Sequence, residues 1–253
     1  MLKKILISFN LLYLGLFLTS HLLFEISLSW IFPLILINLI GIIWASSDLR
    51  LNFFLPAITQ GKKGKIIALT FDDGPTEYTE ELLDLLLKYN AKATFFCIGQ
   101  QIEKHPEIAQ RIHSEGHTIG NHTQNHPKNL GFLSVEKVKK EIETCHQTIQ
   151  KYMGFSPKYY RPPFGVTNPN IAKALKNTHY TVIGWNNRSL DTMIRNKTQL
   201  FNRIYRKLPN RNLVLLHDTQ SNSVEVVEQL LKRLTDENYI FVNIDDFLKT
   251  KHA

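Results

Sequence analysis

From residue 65 onward, short apolar runs alternate with longer segments in which apolar residues recur every three or four positions. The runs predict β-strands and the spaced segments predict amphipathic helices. Strands are expected at Ile66–Phe71, Ala93–Cys97, His117–Ile119, Lys158–Tyr160, Tyr180–Trp185, Leu213–Leu216 and Tyr239–Ile244. Helices are expected at Thr79–Tyr89, His105–Ser114, Ser134–Tyr152, Asn168–Lys176, Thr198–Lys207 and Ser223–Thr235. About seven strands, most of them followed by a helix, favour a parallel α/β barrel over an open sheet.

The first 48 residues have a different pattern, with two long apolar stretches. Ile5 to Phe24 contains no Asp, Glu, Lys or Arg and reaches the roughly 20 residues that cross a bilayer. Leu28 to Trp44 is a second, shorter stretch. We therefore expect a membrane anchor of two transmembrane helices over 1–48, a juxtamembrane linker over 49–64 and a folded domain over 65–253. A cleaved signal peptide is the alternative for the first stretch, which exceeds the roughly 7–15 apolar residues of such peptides.

The distribution of charge supports a membrane partner. The formal charge is +8, and residues 1–65 carry six Lys or Arg against two acids, so half of the excess flanks the apolar stretches. We expect contact with membrane lipids rather than nucleic acid. Two spans would place the domain in the cytoplasm and one span would place it outside, so its side of the membrane stays open. The two cysteines predict no disulfide scaffold, and the oligomeric state is open.

The first strand carries the most informative motif, because two acids stand where it ends. Asp72 and Asp73 lie in TFDDGP (residues 70–75), directly after the apolar run. Two like charges in a sheltered position need a cation to neutralise one of them. A metal ion is the natural candidate, and a turn with two solvated acids is the simpler alternative.

Polar side chains follow three other predicted strands. His122 and His126, placed on a predicted helical turn, share a face and could chelate zinc; two exposed histidines are the alternative. Arg161 opens RPPFG, whose two prolines leave the Phe164 N–H as the next free donor; an ordinary proline turn is the alternative. His217 emerges from a strongly apolar strand, where a lone histidine would more often be structural.

These motifs, in this order, resemble those of the polysaccharide deacetylases, carbohydrate esterase family 4. TFDDGP (70–75), HTQNH (122–126), RPPFG (161–165) and LLH (215–217) match four family motifs, and the similarity covers about Ile66 to Ile244. The resemblance implies an irregular (β/α) barrel. It also implies a metal-dependent hydrolase that removes N-acetyl groups, or O-acetyl groups by the same chemistry, from amino-sugar glycans or glycolipid precursors.

The resemblance also implies individual roles. Asp73, His122 and His126 would bind a divalent metal, usually Zn²⁺, although such ligands also accept Co²⁺, Ni²⁺ or Mn²⁺. Asp72 would be the general base for the attacking water and His217 the general acid for the leaving amine.

The remaining roles implied by the resemblance are supporting ones. Arg161 would pair with Asp72 and keep it ionised. The Phe164 N–H would help to stabilise the oxyanion, and Leu215 would line the pocket for the acetyl methyl group.

One stretch departs from the family pattern and forms part of the expected substrate-binding wall, with Trp185 and Arg188. Between Trp185 and Thr192, Asp191 is retained as the expected partner of His217. Thr192 stands where the family usually has tryptophan, and Arg188 stands where an aspartate is common. The substrates of better-known members therefore cannot be transferred directly.

A basic segment follows this wall. Between Thr192 and Arg211 the chain has no acid and six basic residues: Arg195, Lys197, Arg203, Arg206, Lys207 and Arg211. A solvated helix face is one interpretation. The other is a surface that faces phosphate, which suggests a sugar on a lipid carrier at the cytoplasmic membrane face as substrate. A metal-dependent phosphohydrolase and a catalytically silent glycan-binding module are less favoured alternatives.

Overall fold

A computed structural model describes residues 2–25, 27–62, 64–208 and 212–252. Its centre is an eight-stranded sheet in which every pairing is parallel, curled into a half-barrel. The strands are β1 Ile66–Asp72, β2 Ala93–Cys97, β3 Thr118–Asn121, β4 Tyr159–Tyr160, β5 Thr181–Val182, β6 Asn187–Arg188, β7 Leu213–His217 and β8 Ile240–Phe241. They follow the order β5-β4-β3-β2-β1-β7-β6, and β8 pairs with the start of β1. The predicted α/β class with about seven parallel strands is confirmed.

Ten α-helices are present in the part of the chain that the structure describes. They are α1 Leu2–Phe24, α2 Ile31–Ser47, α3 Glu77–Lys88, α4 Gly99–Lys104, α5 Pro106–Ser114, α6 Val135–Met153, α7 Pro169–Leu175, α8 Lys197–Tyr205, α9 Ser221–Asp236 and α10 Ile244–His252. The predicted ends of α6 are confirmed, because Ser134 caps its first turn and Gly154 ends it in a left-handed conformation. The sequence did not predict α4, α10 or β6.

The order of the strands brings distant parts of the sequence to one edge. β1 lies between β2 and β7, and its apolar side chains from Ile67 to Phe71 are buried, as expected for a central parallel strand. Asp72, the last residue of β1, is in register with His217, the last residue of β7. Asn121 at the end of β3 is in register with Tyr160 at the end of β4. The segments that follow these four strands therefore share the carboxyl edge of the sheet.

The N-terminal helices form a hairpin held by paired amides. Asn10 Nδ2 donates to Asn38 Oδ1 (2.9 Å), and Asn38 Nδ2 donates to Asn10 Oδ1 (2.7 Å). Across the described residues, no helix has both the length and the apolar character that crossing a bilayer requires. The two transmembrane helices expected within 1–48 are therefore not supported: α2, for example, has 17 residues, which span about 25 Å.

Residues 49–64 were expected to form a linker, but within this range the described residues 49–62 pack against the α/β domain. Ile58 lies in a parallel bridge with Ile183, donates its N–H to Val182 O (2.9 Å) and accepts from Gly184 N (2.8 Å). Thr167 N donates to the carbonyl of Ser46 (2.8 Å). These bonds hold the end of α2 beside the carboxyl edge of the sheet.

Candidate active site

A cavity of about 200 Å³ opens at the carboxyl edge, and we call it the catalytic cavity. It is lined by Asp72, Asp73, His122, His126, Phe164, Gly165, Trp185, Arg188, Leu190, Thr192, Met193, Leu215 and His217. Nine of these are residues that the sequence singled out for catalysis, metal binding or substrate binding. Thr192 is the residue that stands where the family usually has tryptophan. Arg161 and Asp191 lie directly behind the wall and are buried.

Arg161 holds Asp72 from beneath the cavity. Its Nη1 donates to Asp72 Oδ1 (2.6 Å) and to Thr70 Oγ1 (2.8 Å). Its Nε and Nη2 donate to the carbonyl oxygens of Ile183 and Gly184 (3.1 and 2.8 Å). Burial lowers the pKa of Arg161, while the charge of Asp72 opposes that change. All three guanidinium nitrogens thus donate hydrogen bonds, and the other carboxylate oxygen of Asp72 is left for the cavity.

The segment from His122 to His126 is a loop, so its prediction as a helical turn is wrong. Thr123 (φ 69°) and His126 (φ 48°) have left-handed backbones, and Pro127 disfavours a right-handed helix at the residue before it. Two local side-chain bonds fix the loop: Thr123 N donates to Asn121 Oδ1 (2.9 Å), and His126 N donates to Thr123 Oγ1 (3.1 Å). The two histidines nevertheless converge, with ring centroids 5.0 Å apart.

Asp73, His122 and His126 form a site suited to a divalent cation. Their ligand atoms all lie within 4.8 Å of one another, and Asp73 Oδ1 is 3.4 Å from Nε2 of each histidine. Within the described residues, this buried oxygen has no hydrogen-bond partner. His122 Nδ1 donates to the carbonyl of Arg161 (2.8 Å), which leaves its Nε2 as the free donor atom for a metal. A carboxylate oxygen without a hydrogen-bond partner, placed between two imidazoles, suits the binding of a divalent cation.

The protonation states of these ligands fit metal binding. Burial alone would raise the pKa of Asp73, but the imidazoles of His122 and His126 beside it lower it to about 2. Burial lowers the pKa of His126. An ionised carboxylate and a neutral imidazole are the forms that bind metals.

His217 and Asp191 form a second ion pair on the opposite side of the cavity. His217 Nδ1 donates to Asp191 Oδ1 (2.8 Å), and the His217 N–H donates to Asp191 Oδ2 (2.7 Å). Burial would lower the pKa of His217, but the bond to Asp191 and the nearby carboxylates raise it to about 9. His217 is therefore a protonated imidazolium at neutral pH, with Nε2 left as its other donor.

Two serines complete this pair, and the sequence did not predict them. Ser189 Oγ donates to Asp191 Oδ1 and Ser223 Oγ donates to Asp191 Oδ2, both at 2.8 Å. Ser189 lies two residues before Asp191, a spacing at which a hydroxyl commonly reaches a neighbouring acid. Ser223 comes from α9, so no local pattern could have identified it.

The remaining wall is aromatic and apolar. Phe164 has a left-handed backbone (φ 59°), and its half-exposed ring packs edge-on to His126 at 4.6 Å. Leu215 is buried in β7 and faces the cavity. The Arg188 guanidinium lies 5.8 Å from the ring of Trp185. The structure thus places all eleven predicted site residues in or directly behind one cavity, while their individual roles stay predictions.

Comparison with known proteins agrees with this geometry. The polysaccharide deacetylase family model matches residues 59–183. The chain is 35% identical over 188 residues to the peptidoglycan-N-acetylmuramic acid deacetylase PdaC of Bacillus subtilis, covering 74% of this chain and 39% of that protein. It is 34% identical over 194 residues to a peptidoglycan-N-acetylglucosamine deacetylase of Bacillus cereus, covering 74% of this chain and 90% of the relative. The chain belongs to the polysaccharide deacetylase family.

Solved structures of this family share the fold. The structure of PdaC from Bacillus subtilis superposes with a TM-score of 0.70 at 32% identity, covering 77% of this chain and 94% of that one. The predicted resemblance is therefore confirmed. So is the predicted enzyme class, a hydrolase acting on carbon–nitrogen bonds other than peptide bonds.

Proposed function

We propose that this polysaccharide deacetylase removes N-acetyl groups from amino-sugar glycans in a metal-dependent reaction. The observation that carries the proposal is the pairing of two different units across one cavity. On one side lie Asp72 and the candidate metal ligands, and on the other lies the protonated His217 held by Asp191. Amide hydrolysis needs a base, an acid and a stabiliser of the oxyanion, and this arrangement supplies each.

Asp73, His122 and His126 would hold the cation, with Zn²⁺ preferred because one carboxylate and two imidazoles leave coordination positions open for catalysis. When bound, it would supply Lewis-acid polarisation of the acetyl carbonyl and of the attacking water.

The residues around the metal site divide the proton transfers between them. Asp72, ionised and held by Arg161, would take a proton from the attacking water. His217 would give its proton to the leaving amine, because its raised pKa keeps it charged at neutral pH. The Phe164 N–H would donate to the developing oxyanion, and the buried Leu215 would contact the acetyl methyl group.

The substrate class is proposed from the family. The relatives named above act on peptidoglycan N-acetylglucosamine or N-acetylmuramic acid, so these sugars are the first to test. O-acetyl esters are further candidates, because the same groups can attack them. A sugar on a lipid carrier is a second candidate, favoured by a basic cavity beside the catalytic one.

The test is acetate release by the full chain loaded with zinc. The substrates are N-acetylglucosamine oligomers, peptidoglycan fragments and acetylated xylan, and Asp72→Asn is the matched variant. We expect N-linked acetate to be released, and Asp72→Asn to slow release at least about 100-fold, the usual contribution of a general base. A folded, metal-loaded chain that releases no acetate, or that releases phosphate from sugar phosphates instead, would overturn the proposal.

A further inference from the structure

A second cavity adjoins the catalytic one and is strongly basic. It measures about 320 Å³, and we call it the basic cavity. Four cationic side chains line it, from three separate parts of the chain: Arg50, Arg188, Arg203 and Lys207. Among the described residues that line it, Asp48 is the only acid. The cavity is therefore suited to an anion of more than one charge.

The two cavities share a wall. Trp185 and Arg188 line both of them, with the guanidinium 5.8 Å from the indole ring. If the N-acetyl group of a sugar lay at the metal ligands, another group attached to the same sugar would thus be able to reach the basic cavity. The second cavity can act as part of the same substrate site.

Two of its basic residues are hydrogen-bonded to neighbouring groups. Arg203 Nε donates to the carbonyl of Arg188 (3.3 Å), which ties α8 to the shared wall. Arg50 is oriented by Asp48, to which Nε and Nη2 donate at 2.8 and 2.6 Å. A planar guanidinium favours phosphate because two of its N–H groups can donate to phosphate oxygens at once. In Arg50 the edge with Nε already binds Asp48, so the edge with Nη1 is the one that would bind a phosphate.

Helix α2 ends at the same cavity and gives it an apolar border. Trp44 and Ser47, in the last turn of α2, line the cavity. Ile40, Ile43 and Trp44 are each about half exposed or more, so an apolar helix surface begins where the cationic groups are. A phosphate joined to a lipid would satisfy both features together.

We infer that the basic cavity binds the phosphate or diphosphate that joins the acetylated sugar to a lipid chain, with the lipid lying along α2. The inference rests on the proposed deacetylase function, because it names the substrate class for that same site. It goes beyond the prediction made from the basic segment alone, since Arg50 comes from the N-terminal segment. Arg206 is exposed and lies outside the lining, and Arg211 lies outside the described residues.

A binding experiment tests the cavity without depending on catalysis. The full chain is titrated calorimetrically with geranyl diphosphate, inorganic diphosphate and geraniol. Metal is removed first, because a metal ion in the catalytic cavity would itself bind the diphosphates. We expect geranyl diphosphate to bind most tightly. Arg50→Gln and Arg203→Gln should each weaken its binding at least about tenfold, as expected for a charged hydrogen bond. Arg203→Lys should retain part of the affinity, and Arg206→Gln is the matched control that should change nothing.

Three results would overturn the inference. Equal binding by wild type, Arg50→Gln and Arg203→Gln would show that the cavity is not the binding site. If inorganic diphosphate bound as tightly as geranyl diphosphate, the lipid chain would contribute nothing to binding, and the lipid part of the inference would be wrong. Loss of N-acetylmuramic acid oligomer binding in the same variants, without diphosphate binding, would assign the cavity to a glycan carboxylate.

A kinetic comparison separates this inference from the proposed function. The substrates are N-acetylglucosamine linked by diphosphate to a short prenyl chain and the neutral N-acetylglucosamine tetramer. We expect wild type to have at least a tenfold lower KM for the lipid-linked sugar, and this preference to fall in Arg203→Gln but not in Arg206→Gln. Arginine-dependent diphosphate binding without any acetate release would refute the deacetylase alone, whereas acetate release without any preference would refute the lipid phosphate subsite.

Discussion

Arg161 donates from Nη1 to Oδ1 of Asp72 over 2.6 Å, although both side chains are almost completely buried. Removing one partner of a buried ion pair leaves the other charge without compensation, which costs about 3–5 kcal/mol. The pair therefore supports the fold as well as the chemistry of the site.

The first prediction concerns the stability of this pair. Arg161→Gln should lower the free energy of unfolding by about 3–5 kcal/mol, because Asp72 remains buried and charged. The double variant Arg161→Gln with Asp72→Asn should recover part of that loss, which denaturant unfolding will show. If the loss of unfolding free energy in the double variant equalled the sum of the losses in the two single variants, the residues would not be coupled.

The second prediction concerns pH and the pair of His217 and Asp191. Because Asp191 raises the pKa of His217 to about 9, the general acid stays charged at neutral pH and loses its proton as the pH rises through about 9. Acetate release should therefore fall above that pH. In Asp191→Asn the alkaline limb should move to lower pH, because the imidazolium loses its partner.

The control for the pH experiment is Asp236→Asn, a change of the same charge at the end of α9, away from the site. It should leave the pH profile of acetate release where wild type has it. An alkaline limb that stays fixed in Asp191→Asn would show that His217 is not the group being titrated.

The third prediction concerns the metal ligands. His126→Ala should weaken zinc binding at least about 100-fold, since loss of an outer-shell partner alone commonly costs 10–100-fold. Isothermal titration of zinc into the metal-free chain measures this change. His113→Ala, an exposed histidine on α5, is the control and should bind zinc as wild type does. If His126→Ala bound zinc as tightly as His113→Ala and wild type do, His126 would be excluded as a ligand.

The fourth prediction concerns the wall between the two cavities. A Cβ at Gly165 would lie 2.4 Å from the Trp185 ring, and the backbone there has φ +70°. Gly165→Ala should cost about 1–2 kcal/mol in backbone strain and raise KM for the glycan several-fold by displacing Trp185. Gly154→Ala is the matched control, because it has φ +76° but nothing within 4 Å. If KM rose equally in both variants, the displacement of Trp185 would not be the cause of the change in KM.

The sequence predicted the strands that carry the site because they are long, apolar and central. β1 and β7 end in Asp72 and His217, each one residue beyond the predicted end of its apolar run. β6 was missed because it has only two residues, Asn187 and Arg188, and is polar. Its pairing with β7 depends on tertiary contacts that no local pattern records.

The loop of the two histidines shows a different limit. A spacing of four residues fits one face of a helix, but it fits equally a loop in which Thr123 and His126 adopt positive φ. Side-chain bonds from Asn121 and Thr123 decide between the two. The candidate ligands were therefore predicted from residue type and family resemblance, while the geometry that brings them together was not.

The basic cavity could not be predicted because its residues are far apart in the chain. Arg50 follows α2, Arg188 lies in β6 and Arg203 lies in α8. The charge run after Thr192 suggested phosphate binding, but the contribution of Arg50 depends on the packing of residues 49–62 beside the end of β5. The residues of the catalytic cavity could be predicted from the motifs, whereas the basic cavity depends on how the N-terminal segment folds.

The measurement that tests the central claim most directly is a zinc titration of activity. The metal-free full chain is mixed with rising zinc, and acetate release from an N-acetylglucosamine oligomer is followed at pH 7. We predict a rate that rises with zinc and saturates at about one equivalent per chain, as expected for a single three-ligand site. Acetate release that is unaffected by zinc and by a chelator would contradict the account, because Asp73, His122 and His126 would then have no metal to hold.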